Sequence, residues 1–256
     1  MATMLQTSSA ERLACGRVAN AQVFRLMGTG EGLPAGLHYR KGLALLGYLA
    51  IENGRQHART AIAALLWPEL DERAALTNLR QVLTDLNRFC NQCFGAGVLD
   101  VQRTAVGLFP RGRLLFDTDL VTQAPERCLD VLQEDRLFLR GAEDIAGVDF
   151  QSWMESVRQQ LDTQLLASAE ARCDALMAAG EFRAALPLAQ MLCKRDPWNE
   201  DNARRKMRIH ANTGMLAAAI TTYRRIEATL SRELGIRTAV ATRQLLAEIC
   251  GDRELA

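Results

Sequence analysis

Five polar side chains between residues 77 and 88 are spaced so that they would share one face of a helix. They are Thr77, Arg80, Gln81, Thr84 and Arg88. Arginine can donate two hydrogen bonds to guanine, glutamine can make two hydrogen bonds to adenine, one as donor and one as acceptor, and threonine reaches a phosphate or a thymine methyl group. These residues could therefore recognise base pairs, although the same pattern also describes a solvated helix face.

Polar residues in two neighbouring segments could extend such a surface. Arg55, Arg59 and Thr60 precede or open a second predicted helix, where free backbone N–H groups and a cation can hold a phosphate. An N-cap role for Thr60 is an equally good interpretation. Arg103 falls at the tip of a predicted hairpin. It is either a contact to phosphate or the minor groove, or a plain turn residue.

The sequence lacks the residue groupings that are typical of enzymes and metal sites. His38, His57 and His210 are far apart in the sequence, and none has an acid or nucleophile beside it. Cys90 and Cys93 form a C-x-x-C pair, but no second Cys or His pair follows at ligand spacing. Seven scattered cysteines are more typical of reduced core thiols. We therefore expect no enzymatic activity, no cofactor and no metal ion.

Three helices are predicted to position the polar residues. Helical periodicity starts at Lys41 and should end at Asn53-Gly54, because both residues tolerate the left-handed conformation of a C-cap. A short second helix from Arg59 to Leu66 should stop before Pro68. The third helix begins near Asp71. Its buried face is indicated by an apolar stripe of Leu76, Leu79, Leu83 and Leu86.

Short strands are predicted on both sides of these helices. Residues 23–40 are interpreted as a strand, a glycine-rich turn and a second strand. Gly28, Gly30 and Gly32 do not indicate a phosphate loop, because no G-K-[ST] follows them. Residues 98–110 alternate as a β-hairpin around Arg103-Thr104. Three helices followed by a hairpin form the plan of a winged helix, whose third helix enters the major groove of DNA.

The second half of the chain is nearly all helical in pattern and contains an internal repeat. The segments around Gly180 and Gly214 resemble each other at a separation of 34 residues, which is the period of a tetratricopeptide helix pair. Leu192 corresponds to Ile226, and Asp196-Pro197 closes the first unit. Further helices are predicted over residues 150–165 and 237–250.

The predicted fold class is mainly α with small β elements. We expect a flexible leader over residues 1–16, a winged helix-turn-helix domain over 17–117 and a tetratricopeptide-like, all-α helical-repeat domain over 118–256. Tryptophan placement fits this plan, since Trp67 and Trp153 are more typical of core anchors than of stacking platforms.

Charge and apolar runs restrict the classes of protein. The 31 Lys and Arg residues nearly balance the 30 Asp and Glu residues, which argues against a polybasic nucleic-acid or membrane binder. Residues 1–120 carry 13 basic and 10 acidic residues, so phosphate contacts should be few. The longest apolar run, over residues 42–51, is about half of a membrane span. Without a signal-peptide pattern, a cytoplasmic protein with no membrane partner is expected.

Longer motifs carry a resemblance to a known family. Residues 41–88 resemble the winged-helix region of the Streptomyces antibiotic regulatory protein class, which shows a Lys before an A-L-L-x-Y-L-A helix, then L-L-W-P and N-L-R. Residues 149–161, 180–200 and 213–236 resemble the bacterial transcriptional activator domain, with its W-x-x-E-x-R-like start, its D-P and its E-L-G. Both segments occur in the family's order.

The resemblance implies an OmpR-type winged helix that binds direct repeats in double-stranded DNA near a promoter. The helical domain would form a homodimer or contact RNA polymerase. The protein would then be a bacterial transcriptional regulator, most simply an activator, with a nucleoid-associated fraction. The chain departs from the family where Leu76-Thr77 precedes N-L-R and where Asp85 adds a negative charge near the polar face. A second hypothesis is therefore an interaction adaptor whose degenerate winged helix no longer binds DNA.

Candidate partner-binding residues lie in the second half. Trp198 stands in D-P-W-N-E between the repeats, where partial exposure and contact with a partner are expected. A basic cluster follows on the next helix, and it is either a solvated face or a contact for an acidic partner or flanking DNA. The cluster comprises Arg204, Arg205, Lys206 and Arg208.

Overall fold

The computed structural model describes residues 15–18, 21–28, 33–34, 36–109 and 114–251. The chain divides into two compact units, one ending at Thr163 and the other starting at Gln164. Within the described ranges, no helix combines the length and the apolar character that crossing a membrane requires. Each unit is described separately.

The first unit contains the three predicted helices. They are α1 (Arg40–Ile51), α2 (Arg59–Leu66) and α3 (Glu72–Phe94). Gly54 has a φ of +76° just beyond α1, as the left-handed turn requires. Asp71 caps α3, because its carboxylate accepts a hydrogen bond from the Ala74 N–H at 2.9 Å. The predicted helices and their stop signals are thus confirmed.

A three-stranded antiparallel sheet completes the winged helix. Its strands are β4 (Gln56–Ala58), β5 (Leu99–Val101) and β6 (Ala105–Leu108), and β6 lies between the other two. The hairpin of β5 and β6 confirms the prediction for residues 98–110. Strand β4 was missed, since three residues are too short for a visible alternation. Gly107 allows the close pairing, because a Cβ there would lie 2.6 Å from the Arg55 carbonyl oxygen.

Strand pairing at the start of the chain differs from the prediction. Strand β1 (Cys15–Val18) pairs with β2 (Ala21–Phe24), which also pairs in parallel with β7 (Leu114–Phe116). Strand β3 (Met27–Gly28) pairs with β8 (Leu137–Phe138). The second strand predicted before residue 40 is therefore wrong, since residues 36–39 form a turn and an irregular segment.

Two predicted segments, the leader and the glycine-rich turn, lie partly outside the residues that the structure describes. Cys15 and Gly16 belong to β1, so the flexible leader predicted over residues 1–16 is wrong for these two residues. Residues 1–14, and Gly30 and Gly32 of the turn, lie outside the described ranges. The boundary expected between residues 117 and 118 stays a prediction.

A buried carboxylate ties the β2–β3 corner to the segment that follows β7. Asp117 begins helix α4 (Asp117–Gln123) and accepts hydrogen bonds from the N–H groups of Leu26 at 2.8 Å and Met27 at 2.9 Å. Burial raises the pKa of Asp117 to about 7, against the opposing effect of these donors. Helix α5 (Leu129–Gln133) precedes β8. This carboxylate fixes the start of α4 to the β2–β3 corner.

The helices that follow are longer than α4 and α5, and neighbours in the chain pack against each other. Their bounds are α6 (Val148–Ala178), α7 (Phe182–Arg195), α8 (Glu200–Asn212), α9 (Leu216–Thr229) and α10 (Val240–Gly251), with a π-helical turn at Leu230–Leu234. In α6, Phe150 is fully buried, and Trp153 packs against it with ring centroids 5.2 Å apart. Trp67 is buried, and Trp153 is half-buried and also packs against Tyr48 and Phe138, so both tryptophans pack into the core as predicted.

The predicted 34-residue period is visible in the backbone. Gly180 and Gly214 both have a φ of +75°. The next residue closes the same turn in each case: the Glu181 N–H donates to the Leu176 carbonyl, and the Met215 N–H to the His210 carbonyl, both at 2.8 Å. These are Schellman caps, which require the left-handed residue that glycine supplies. In each of the two helix pairs, the first helix therefore ends in the same kind of turn before the second helix begins.

Side-chain packing follows the same period. Ala185 and Ala219 are both fully buried, and Leu192 and Ile226 are both buried. A small residue at the first position lets neighbouring helices approach, and the larger residue two turns later fills the space between them. The second unit is thus a tetratricopeptide-like helical repeat.

Candidate nucleic-acid interface

The outer side of α3 presents a polar surface, which we call the α3 face. It comprises Arg73, Thr77, Arg80, Gln81, Thr84 and Arg88, all exposed. Beneath it, Leu79, Leu83 and Leu86 are buried and attach the helix to the core, and Leu76 is half-buried. The helix therefore leaves the polar residues for an external partner. The predicted division of α3 into a buried side and a solvent-exposed side is confirmed.

Arg80 is the central cation of the α3 face. Within the described part of the chain its guanidinium has no carboxylate partner, whereas Arg88 lies 3.7 Å from an oxygen of Asp85. An unpaired arginine keeps its five donors available for a phosphate or a guanine edge. Arg73 was missed as a member of the α3 face. Its position seven residues before Arg80, two helical turns away, is the signal that could have identified it.

The two threonines of the α3 face use their hydroxyl protons within the helix. The Thr77 hydroxyl donates to the Arg73 carbonyl at 2.8 Å, and the Thr84 hydroxyl donates to the Arg80 carbonyl at 2.9 Å. Their donors are therefore occupied, and a phosphate, which only accepts, is a poor partner in this rotamer. The outward methyl groups still suit the thymine methyl group.

Asp85 does not lie on the α3 face, contrary to the sequence-based expectation. Its side chain is buried and accepts hydrogen bonds from the backbone N–H of His38 at 2.9 Å and from its ring Nδ1 at 2.6 Å. Burial tends to raise the pKa of Asp85, but the His38 donors and Arg88 together lower it below its ordinary value. The carboxylate is thus turned into the protein and held by hydrogen bonds from His38, with Arg88 at 3.7 Å.

The start of α2 is bonded to the hairpin tip. The Arg59 N–H donates to the Thr104 carbonyl at 2.9 Å, and its guanidinium approaches the Gln102 carbonyl at 3.4 Å. Arg103 is exposed between these two contacts. The structure thus brings Arg59 and Arg103 together, with Arg59 partly occupied by the backbone of the wing.

Two other residues near α2 have specific positions. Ala58 is the N-cap of α2, so the alternative N-cap role for Thr60 is wrong, and Thr60 is exposed in the first turn. Arg55 is exposed and lies 3.2 Å from a carboxylate oxygen of Glu52. Arg55 and Thr60 are thus both open to solvent, and Arg55 has a carboxylate beside it.

The basic cluster of α8 is not a uniformly solvated face. Arg205 donates through Nε and Nη2 to both carboxylate oxygens of Asp174, at 2.8 and 2.9 Å. Arg204 pairs with Asp201 and donates to the Thr242 hydroxyl at 2.8 Å. These two arginines join helices within the second unit, whereas Arg208 is exposed.

Trp198 is exposed as predicted. Its side chain keeps 48% of its accessible surface, and its indole N–H donates to a carboxylate oxygen of Glu233 at 2.9 Å. The ring therefore has a fixed orientation at the surface. Its predicted role in binding a partner stays a prediction.

Histidine and cysteine side chains occupy structural positions. His57 packs edge-on against Tyr48, and burial together with Lys206 lowers the pKa of His210. Burial raises the pKa of the Cys90 thiol to about 12. Across the described residues, no group of three or more His, Cys, Asp or Glu side chains is placed to hold a metal ion. The acid beside His38, which comes from 47 residues away, could not be seen in the sequence.

Comparisons with known proteins agree with this architecture. A family model, the bacterial transcriptional activator domain, matches residues 111–250. The structure of Mycobacterium tuberculosis EmbR in complex with a low-affinity phosphopeptide is similar, with a TM-score of 0.62 and 18% sequence identity. The match covers 91% of this chain and 63% of that chain, so this chain spans less than two thirds of EmbR. No match was found among curated proteins.

The family match covers more than half of the chain, and the EmbR similarity extends the shared fold to the winged helix. This arrangement bears out the resemblance noted from the sequence. The chain belongs to the bacterial transcriptional activator domain family.

Proposed function

We propose that the protein binds promoter DNA through the α3 face and activates transcription. The observation that carries the proposal is an exposed arginine, Arg80, which has no carboxylate partner among the described residues and lies at the centre of a polar face on the third helix of a winged helix. In this fold the third helix enters the major groove, where arginine and glutamine can read base edges. Arg80 and Gln81 would make base contacts, and Thr77 and Thr84 would contact thymine methyl groups.

The wing and the start of α2 would contact the DNA backbone. Arg103, exposed at the hairpin tip, would approach a phosphate or the minor groove, and Thr60 would lie near a phosphate. Arg59 would support the wing more than the DNA, because its donors already meet wing carbonyls. Arg88 would contribute a phosphate contact despite its long ion pair with Asp85.

The second unit would supply protein contacts. We propose that it forms a homodimer or contacts RNA polymerase, so that binding to repeated sites brings polymerase to the promoter. Trp198 and Arg208 are exposed and could take part. Arg204 and Arg205 are less suitable, since their guanidinium groups are already bound to Asp201 and Asp174.

A gel-shift titration against the DNA upstream of the protein's own gene tests the proposal. The Arg80→Ala and Arg88→Ala double variant should lose about 2 to 4 kcal/mol of binding free energy, since each such contact contributes about 1 to 3 kcal/mol. The matched control is Arg224→Ala with Arg237→Ala, which removes two exposed arginines from the second unit. Thermal melting verifies folding, and unchanged DNA binding by a folded double variant would contradict the α3 assignment.

The adaptor hypothesis retains one supporting observation. Residues 1–120 have a surplus of only three basic residues, which favours weak contact with phosphates. Its other support is lost, because Asp85 is buried, accepts hydrogen bonds from His38 and lies 3.7 Å from Arg88. Retention on a DNA column at low salt, falling steeply with added salt, is expected of the DNA binder. An adaptor would pass through at every salt concentration.

A further inference from the structure

A groove on the second unit is lined by positive charges from three successive helices. Its volume is about 420 Å³, and its cations are Lys194 of α7, Lys206 of α8 and Arg225 of α9. In the described part of the chain none of these three has an ion-pair partner. Arg204 and Arg205, their neighbours on α8, are both paired. We call this site the basic groove.

The rest of the lining does not neutralise these charges. Asp196 is its one acidic residue, and an oxygen of its carboxylate accepts from the Trp198 N–H at 3.3 Å. Burial raises the pKa of the Cys193 thiol, whereas Lys206, Arg225 and Arg205 act to lower it, as cations near this wall of the groove would. A cleft lined by one sign of charge concentrates its electric field and attracts ions of the other sign.

The floor of the basic groove is apolar. Ala203 and Ile226 line it and belong to a buried cluster with Leu230. Cys193 and Pro197 add apolar surface, and the amide of Gln190 adds hydrogen-bonding groups, whereas the Thr222 hydroxyl already donates to the Ala218 carbonyl at 2.8 Å. An apolar floor between cations matches a ligand that carries carboxylates beside an aliphatic side chain.

We propose that the basic groove binds an acidic peptide segment of a partner protein. Carboxylates of the segment would pair with Lys194, Lys206 and Arg225 while an aliphatic side chain covers Ile226. A DNA duplex suits the groove less well, because a volume of about 420 Å³ admits side chains but not a double helix about 20 Å wide. The proposal is independent of DNA binding by the α3 face.

Fluorescence anisotropy with the full chain tests the proposal. The probe is a fluorescein-labelled peptide of repeated Glu-Glu-Leu triplets, and the same peptide with Gln in place of Glu is its control. The groove variant combines Lys194→Gln, Lys206→Gln and Arg225→Gln, and should bind the acidic probe on the order of tenfold more weakly or worse. It should still shift promoter DNA as the unmodified protein does.

The matched control variant combines Arg183→Gln, Arg224→Gln and Arg237→Gln. It removes the same three charges from exposed positions outside the basic groove, so its affinity for the probe should change less than about twofold. Equal losses in the two triple variants would show that net charge alone attracts the peptide. That result, or no binding of the probe by the unmodified protein, would overturn the proposal.

Protection of cysteine thiols from alkylation locates the bound peptide on the unmodified protein. Cys193 lines the basic groove, and Cys250 is exposed on α10 and serves as the internal control. The acidic peptide should slow alkylation of Cys193 several-fold and leave Cys250 unaffected. Failure to protect Cys193 at saturating peptide would overturn the site, and displacement of the peptide by an equal concentration of DNA duplex would overturn its assignment to acidic peptides.

Discussion

Two helices of the protein carry similar runs of arginine but use them in opposite ways. On α3, Arg80 points to solvent without a carboxylate partner in the described chain. On α8, Arg205 is 15% exposed and is bound at both ends of its guanidinium fork. The difference comes from the packing partner: Asp174 reaches α8 from 31 residues earlier. A basic helix face is therefore available to a partner only where the tertiary fold leaves it without acids.

The largest expected effect is the loss of stability when an arginine of α8 that is bound to an acid is removed. Arg205→Ala should lower the free energy of unfolding by about 2 kcal/mol, because two charge-assisted hydrogen bonds to Asp174 and one to Asn202 are lost. Arg208→Ala removes an exposed arginine from the same helix and is the control, with a change within about 0.5 kcal/mol. Urea denaturation measures both, and equal small changes would break the comparison.

The Arg205 effect should also depend on pH. The hydrogen bonds from Arg205 lower the pKa of Asp174 below its ordinary value, so the folded state holds this proton less tightly than the unfolded state. The pair therefore contributes stability above the unfolded pKa of about 4, and this contribution is lost as the pH falls further. The difference in unfolding free energy between the unmodified protein and Arg205→Ala should shrink as the pH falls below about 4, leaving the part that the Asn202 bond contributes. A constant difference down to pH 2 would contradict the linkage.

The contrast also explains what the sequence could predict. The buried stripe of α3, the stop at Pro68 and the repeated glycines at 180 and 214 are local signals. They were interpreted correctly, because periodicity and turn chemistry depend on neighbouring residues. The partners of Arg205 and Asp85 come from 31 and 47 residues away. Such pairings depend on tertiary packing, which no local pattern contains.

The prediction for the N-terminal strands was wrong for the same reason, because their pairing depends on distant residues. Met27 and Gly28 pair with residues 137–138, more than 100 residues later, and not with the segment after the glycines. Strand β4 is only three residues long, so its alternation is not visible. By contrast, the exposed members of the α3 face were predicted, because helical spacing sets exposure once one side is buried. Whether they contact DNA stays a prediction.

The next effect concerns the one acid buried beneath the α3 face. Asp85→Asn should cost about 1 kcal/mol of stability, because the neutral amide keeps only one acceptor for the His38 N–H and ring. A double-mutant cycle with His38→Ala measures the coupling, which should account for most of the loss. Additive effects of the two changes would show that the pair does not hold the start of α1 against α3.

A smaller effect is expected at the wing. Arg103→Ala should weaken DNA binding about threefold and lower the salt slope of the binding constant by about one, as expected when one phosphate contact is lost. Arg55→Ala is the control, since Arg55 is equally exposed but lies next to Glu52. Anisotropy titrations at several salt concentrations give both slopes. A slope unchanged by Arg103→Ala would remove the wing from the interface.

The smallest effect tests how the threonines of the α3 face are used. The hydroxyl of Thr84 already donates to the Arg80 carbonyl, so Thr84→Val keeps the outward methyl and loses only a bond within the helix. DNA affinity should therefore change less than about twofold, whereas Thr84→Ser, which keeps the hydroxyl and removes the methyl, should weaken binding more at sites that carry thymine. Titration of the two variants against matched sites with thymine or uracil at the contacted position isolates the methyl group. If valine weakens binding more than serine does, the hydroxyl contacts DNA, and α3 must release this bond when it binds.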